Sequence, residues 1–200
     1  LVSMPRVGQR MPRALAVVDI ELLLDEVTRA TSPEADRDRA MLELLYATGM
    51  RVSELVSLDI RHVNLEEGYI RCMGKRSRER LIPIHQKALE TLRIYIKNAR
   101  PKLVVSGREP ALFLNRRGHR LTRQGLWFVL KGYARKAGVD DHTTPHAIRH
   151  SFATHMLQGG ASLRHVQELL GHANISTTQV YTHVAGTHTR EQYDKAHPRA

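Results

Sequence analysis

Helix-boundary residues recur along this 200-residue sequence at intervals that leave room for little besides helices. Asp19 precedes an apolar run that predicts a helix to about Thr28, and Ser32-Pro33 supplies an N-cap and a first-turn proline for a second helix that stops at Gly49. A short helix is expected near Val52. Helical spacing returns over 86–99, and Thr122 then opens a helix that runs to Lys136 ahead of Gly138. Thr144-Pro145 opens another that Gly159-Gly160 closes, and Ser162 and Gly171 bracket the next. A short helix over 176–183 and a C-terminal helix from about Thr187 end the series. The interruption is at 69–73 and 81–85, two short segments rich in Ile, Leu and Tyr around a polar stretch, which predict a β-hairpin. The expected class is mainly α with a small antiparallel β-sheet. A folded domain is expected from about Asp19, because Pro5, Gly8 and Pro12 interrupt any period before it and make residues 1–18 read as a linker.

Charge narrows the partner. The chain holds 31 Lys and Arg against 20 Asp and Glu, a net +11 with neutral histidines, which favours a polyanion. No apolar run approaches the roughly 18 residues that a membrane helix needs, so nucleic acid is favoured over a membrane. Residues 1–13 carry three arginines and two prolines without the apolar stretch of a signal peptide, and the expected compartment is the cytoplasm. The single cysteine, Cys72, has no partner for an internal disulfide and sits in a predicted strand as a buried thiol.

Phosphodiester chemistry needs a nucleophile, cations around the nonbridging oxygens and an acid for the leaving oxygen. Arginine suits the phosphate, because its planar fork donates two parallel hydrogen bonds and keeps its charge. His146 and Arg149 are three apart, so both share a face at the start of the helix opened by Pro145, where free amides and the helix dipole also favour an anion. His172 follows a helix-ending glycine, Tyr181 is one of six tyrosines, and Arg51 follows Gly49 closely. Taken singly, each has an ordinary structural explanation. His146, His150 and His155 lack an HExxH pattern or cysteine partners, so no metal is expected and the last two read as packing or phosphate-adjacent residues.

Order and spacing say more. The chain reads Ala47-Thr48-Gly49-Met50-Arg51-Val52-Ser53-Glu54-Leu55, then Gly74-Lys75, then Pro145-His146-Ala147-Ile148-Arg149-His150-Ser151-Phe152-Ala153-Thr154-His155. Leu169-Leu170-Gly171-His172 and Ser176-Thr177-Thr178-Gln179-Val180-Tyr181 follow. This succession resembles the tyrosine recombinase family, in particular its bacterial Xer branch, over nearly the whole chain, down to the closing His197-Pro198-Arg199-Ala200. The resemblance implies the catalytic-domain fold shared with type IB topoisomerases and a site-specific recombinase that needs neither metal nor ATP. It implies that Arg51 and Arg149 grip the scissile phosphate, His146 assists proton transfer, His172 bonds a nonbridging oxygen, Tyr181 attacks phosphorus and Lys75 protonates the departing 5′-oxygen. The hairpin departs from the family pattern: Arg76 stands where relatives have glycine and Arg78 where they have a second lysine, leaving Lys75 the lone lysine between Arg51 and Gln86.

Two basic clusters are expected to meet DNA: Arg76, Arg78 and Arg80 beside Arg71 in the hairpin, and Arg116, Arg117, Arg120 and Arg123 ahead of the Thr122 helix. The resemblance further implies that residues 1–18 are the linker from an N-terminal core-binding domain, that 19–186 form the catalytic domain and that 187–200 dock on a neighbouring protomer. Implied partners are duplex DNA, a Holliday junction, three further identical or paralogous Xer-type subunits and a septal DNA translocase. The rival expectations are a relaxing type IB topoisomerase and a DNA-binding relative that has lost catalysis.

Overall fold

The computed structural model describes residues 14–74, 79–105, 107–139, 142–171 and 183–200, with 183–187 described through their backbone alone. Among these residues the helices are α1 (Val17–Thr28), α2 (Pro33–Thr48), α3 (Val52–Val56), α4 (Gln86–Ile94), α5 (Arg100–Leu103), α6 (Arg123–Ala137), α7 (Pro145–Gln158), α8 (Leu163–Leu170) and α9 (His183–Ala196). Strands β1 (Val63–Asn64), β2 (Tyr69–Met73) and β3 (Glu79–Pro83) form one antiparallel sheet in the order β1-β2-β3. The expected mainly helical class with a small antiparallel sheet is what the chain adopts.

Helix α2 is the centre of the molecule. Met41, Leu42, Leu44, Leu45, Tyr46 and Ala47 are all buried, as is Glu43 between them, so the helix is enclosed on every side. Its enclosure comes from α1, α4, α5 and α7. Ser32 accepts the Ala35 N–H at 3.0 Å to start the helix, and Gly49 ends it at φ 58°. Only glycine fits there, because a Cβ would be driven into the Phe152 ring of α7. The chain can therefore reverse within two residues and begin α3 at once.

Several boundaries differ from expectation. Helix α1 starts at Val17 and places Asp19 in its first turn, where the carboxylate accepts the Ala16 N–H at 3.2 Å. The helix expected over 86–99 continues through a π turn (Tyr95–Ala99) into α5, and the buried Tyr95 hydroxyl bridges the Leu112 carbonyl and the Leu114 N–H. Strand β1 was not foreseen, being two residues long. The break placed at residue 18 falls inside α1 and the break at 186 falls inside α9, which begins at His183. The short helix expected over 176–183 lies outside the described residues, apart from that first residue of α9.

The C-terminal segment packs on its own chain. Tyr193 donates from its hydroxyl to the Ala47 carbonyl at 2.7 Å, and Gly159 lies so close to the Ala196 carbonyl that a Cβ would collide with it. His197 sits among the rings of Tyr46, His85, Phe152 and Tyr193. Arg199 donates to both Glu43 oxygens, at 2.7 and 3.1 Å, in an ion pair almost wholly removed from water. In the single chain, residues 188–200 of the segment expected to dock on a neighbour occupy a socket on their own chain.

Candidate active site

The turn at Gly49 delivers Arg51 to the first position before α3, where its own N–H points back at the helix and meets the Glu54 carboxylate at 2.8 Å. The Arg51 guanidinium reaches the same carboxylate at 3.1 Å and remains 40% exposed. Arg149 rises from the first turns of α7, a helix started by Thr144, whose hydroxyl accepts the Ala147 N–H at 3.0 Å. Its guanidinium donates to the Gly49 carbonyl at 2.6 Å and to the Leu170 carbonyl at 3.0 Å. One arginine therefore ties the turn that presents Arg51 to the end of α8, whose last carbonyls have no partner within the helix. His146, one turn earlier on α7, is exposed.

Electrostatically these groups are crowded. Burial and then the neighbouring Arg51 charge lower the Arg149 pKa to about 10, so it stays protonated near neutrality while gaining from any anion brought between the two. Burial works to raise the Glu54 carboxyl, but the hydrogen bonds and charge of Arg80, followed by those of Arg51, hold it below the usual carboxylate range. Two arginines thus hold one carboxylate and a third lies near enough to feel its charge, leaving positive charge in excess at a partly open site.

Lys75, His172 and Tyr181 lie outside the described residues, as do Arg76 and Arg78. Of the expected catalytic set, the fold brings Arg51 and Arg149 together and leaves His146 exposed on the same helix as Arg149. Gly171, which immediately precedes His172, ends α8 in the left-handed region at φ 70°.

Two of the arginines expected to meet DNA are engaged within the protein. Arg80 is 7% exposed: β3 turns Glu79 outward and Arg80 inward, and its fork binds Glu54 at 3.0 and 2.9 Å while its Nε donates to the Leu169 carbonyl at 2.9 Å. Arg120 donates to the Val56 and Leu58 carbonyls at 2.9 and 3.0 Å and to Asp59 at 2.6 Å, so its donors close the loop after α3. Arg117 and Arg123 are exposed, and so is Arg116, which lies 3.8 Å from Glu34. Glu54 was missed as a site residue, although its i, i+3 spacing from Arg51 was a usable signal. The partner of Arg80 could not be read, because 26 residues separate it from Glu54.

The remaining candidates have ordinary explanations. Cys72 is buried, and burial pushes its thiol up to about 11, which leaves it inert. His155 packs in the core with Nδ1 2.8 Å from the Tyr46 hydroxyl, and burial lowers its pKa. Among the described residues no helix is long and apolar enough to cross a membrane.

Residues 13–188 match the family model described as the phage integrase family. The chain is 53% identical over 195 residues to tyrosine recombinase XerC of Herpetosiphon aurantiacus, covering 98% of this chain and 63% of that protein. It is 49% identical over 199 residues to tyrosine recombinase XerD of Halalkalibacterium halodurans, covering 100% of this chain and 66% of that one. The chain thus spans just under two thirds of the length of these curated relatives. Among solved structures, XerA recombinase superposes with a TM-score of 0.73 at 29% identity, over 99% of this chain and 68% of the other. XerH recombinase in a post-cleavage complex with a palindromic difH substrate does so with a TM-score of 0.73 at 28% identity, over 93% and 54%.

Proposed function

This chain belongs to the phage integrase family, and from that membership we propose that it is the catalytic part of a Xer-type site-specific DNA recombinase. The observation that carries the reading is the meeting of Arg51 and Arg149 at the Gly49 turn. A fold that holds two guanidinium groups near each other incurs repulsion, and an anionic phosphate between them relieves it. Arg51 and Arg149 bind the nonbridging oxygens, joined by His172 and, for proton movement, His146. The Tyr181 oxygen forms a bond to phosphorus as the bond to the 5′-oxygen breaks. The phenolic proton passes to the base at His146, and the leaving oxygen takes its proton from Lys75. A 5′-hydroxyl from a second strand reverses the step and frees the tyrosine, so no phosphate-bond energy is lost.

In the full reaction four protomers act on two duplexes through a Holliday junction, in the cytoplasm, with the residues before α1 leading from a core-binding domain. In that assembly the socket for 188–200 is filled by the corresponding segment of a neighbour, identical or paralogous. Its occupation in cis by Tyr193, His197 and Arg199 supports the complementarity this exchange requires.

A duplex nicked near the cleavage point, which loses its short leaving strand and traps the intermediate, tests the chemistry. The wild-type chain is expected to form a denaturation-resistant protein–DNA adduct, whereas Tyr181→Phe binds duplex with unchanged affinity and forms none. An adduct from Tyr181→Phe would overturn the assignment of the nucleophile. Resolution of a synthetic four-way junction separates recombination from relaxation by a type IB topoisomerase.

A further inference from the structure

Arg80 is drawn into the interior by strand alternation, and an arginine there needs a counter-charge and partners for its N–H groups. Glu54 supplies both. Each Glu54 oxygen accepts twice: one from Arg80 at 3.0 Å and Arg51 at 3.1 Å, the other from Arg80 at 2.9 Å and the Arg51 backbone at 2.8 Å. Another Arg80 bond goes to the Leu169 carbonyl, and its guanidinium lies under Gly171, where a Cβ would come within 2.8 Å of Nη1. A buried ion pair of this kind contributes little to stability over an apolar pair of similar shape, whereas it does fix orientation.

We propose that Arg80 is a positioning residue for the phosphate site: by occupying Glu54 bidentately it keeps that carboxylate from capturing the Arg51 fork, and by holding Leu169 it fixes the point from which the chain leaves α8 for His172. The inference rests on the recombinase reading above. Without Arg80, Glu54 is a buried carboxylate whose nearest cation is Arg51 at i−3, and the best geometry open to the pair is the fork-to-carboxylate arrangement that Arg80 now takes. Arg51 then faces the protein instead of the phosphate. Binding of duplex, shared among many exposed cations, changes little, while the chemical step slows.

The test compares Arg80→Met with the double variant Glu54→Gln/Arg80→Met, in single-turnover adduct formation on the nicked duplex at saturating protein, with duplex Kd and Tm measured alongside. Arg80→Met is expected to slow adduct formation at least tenfold with Kd within about threefold of wild type. The double variant is expected to recover at least threefold of that loss, because a neutral amide no longer competes for Arg51. A clamp with a purely structural role shows no such rescue. A wild-type rate from Arg80→Met, or a double variant as slow as the single one, overturns the proposal. Should Arg80→Met fail to fold, Arg80→Lys keeps the charge and loses the fork. It is then held to the same tenfold loss at unchanged Kd. Wild-type protein that forms no adduct would defeat the recombinase reading alone, since the turn of Glu54 toward Arg51 is still read from a shift of the Arg51 Nε–H resonance in the Arg80 variants. An unmoved resonance there overturns the positioning role by itself.

Discussion

Lys75 and Arg149 would serve the same phosphate in ways that a change of leaving atom can separate. Arg149 is held by the Gly49 and Leu170 carbonyls and would meet charge on the nonbridging oxygens, whichever atom departs. In the proposed mechanism Lys75 would supply a proton, and only a poor leaving group needs one. Replacing the bridging 5′-oxygen with sulfur gives a thiolate whose conjugate acid has a pKa near that of cysteine, about 8.5. Lys75→Ala is therefore expected to cleave ordinary DNA about 100-fold or more slowly and the 5′-phosphorothiolate at nearly the wild-type rate. Arg149→Ala should stay slow on both substrates. If sulfur leaves Lys75→Ala as slow as before, the acid is another group, and His146 becomes the candidate.

At the scale of elements, helix starts and stops were legible because their signals are local. Ser32, Thr122, Thr144 and Ser162 each accept an N–H three residues on, and Gly49, Gly138 and Gly171 end helices at positive φ. Arg51 and Arg149 could likewise be picked out by motif. The inward turn of Arg80, the loop-closing bonds of Arg120 and the π turn at Tyr95 depend on partners that neighbouring residues do not reveal. Two elements meet at a pair of histidines whose titration can be followed. His85 starts α4 by accepting the Ala88 N–H on Nδ1 at 3.2 Å, and its ring lies 4.8 Å from that of His197, just after α9. Burial, then the charge of His197, lowers His85 to about 3, although Glu43 lies 3.6 Å from its Nε2. Burial wins there because Arg199 already engages that carboxylate. Burial also lowers His197 to about 4, only partly opposed by the Tyr46 carbonyl. Below about pH 6.5 the unfolded chain takes up protons that these folded histidines refuse, so stability falls as pH drops toward about 4, by up to about 1.4 kcal/mol per pH unit for each. Tm is expected to fall between pH 7.5 and pH 5, and His197→Phe should flatten that fall. Equal Tm values for wild type at the two pH values would show that the socket admits a charged imidazole.

Across the whole molecule, the +11 charge is not uniformly available to DNA. Arg117 and Arg123 are exposed, whereas Arg120 spends its guanidinium on two carbonyls and Asp59. Each exposed arginine that neutralises a phosphate adds about 0.9 to the slope of log affinity against log salt. Arg117→Gln and Arg123→Gln are expected to reduce the slope by about that amount each. Arg120→Gln should leave it unchanged and lower Tm, and a slope loss equal to that of the exposed pair would return Arg120 to the DNA face. The socket for His197 and Arg199 also has a consequence in time. The Tyr46 carbonyl and His197 are 151 residues apart, and a ribosome adding about 5–20 residues per second needs on the order of 10 s to emit the second after the first. For most of that interval Glu43 and Tyr46, later joined by His85, have emerged while His197 and Arg199 have not. The socket is therefore among the last parts of the fold that can close, because its contacts wait for residue 199 to emerge.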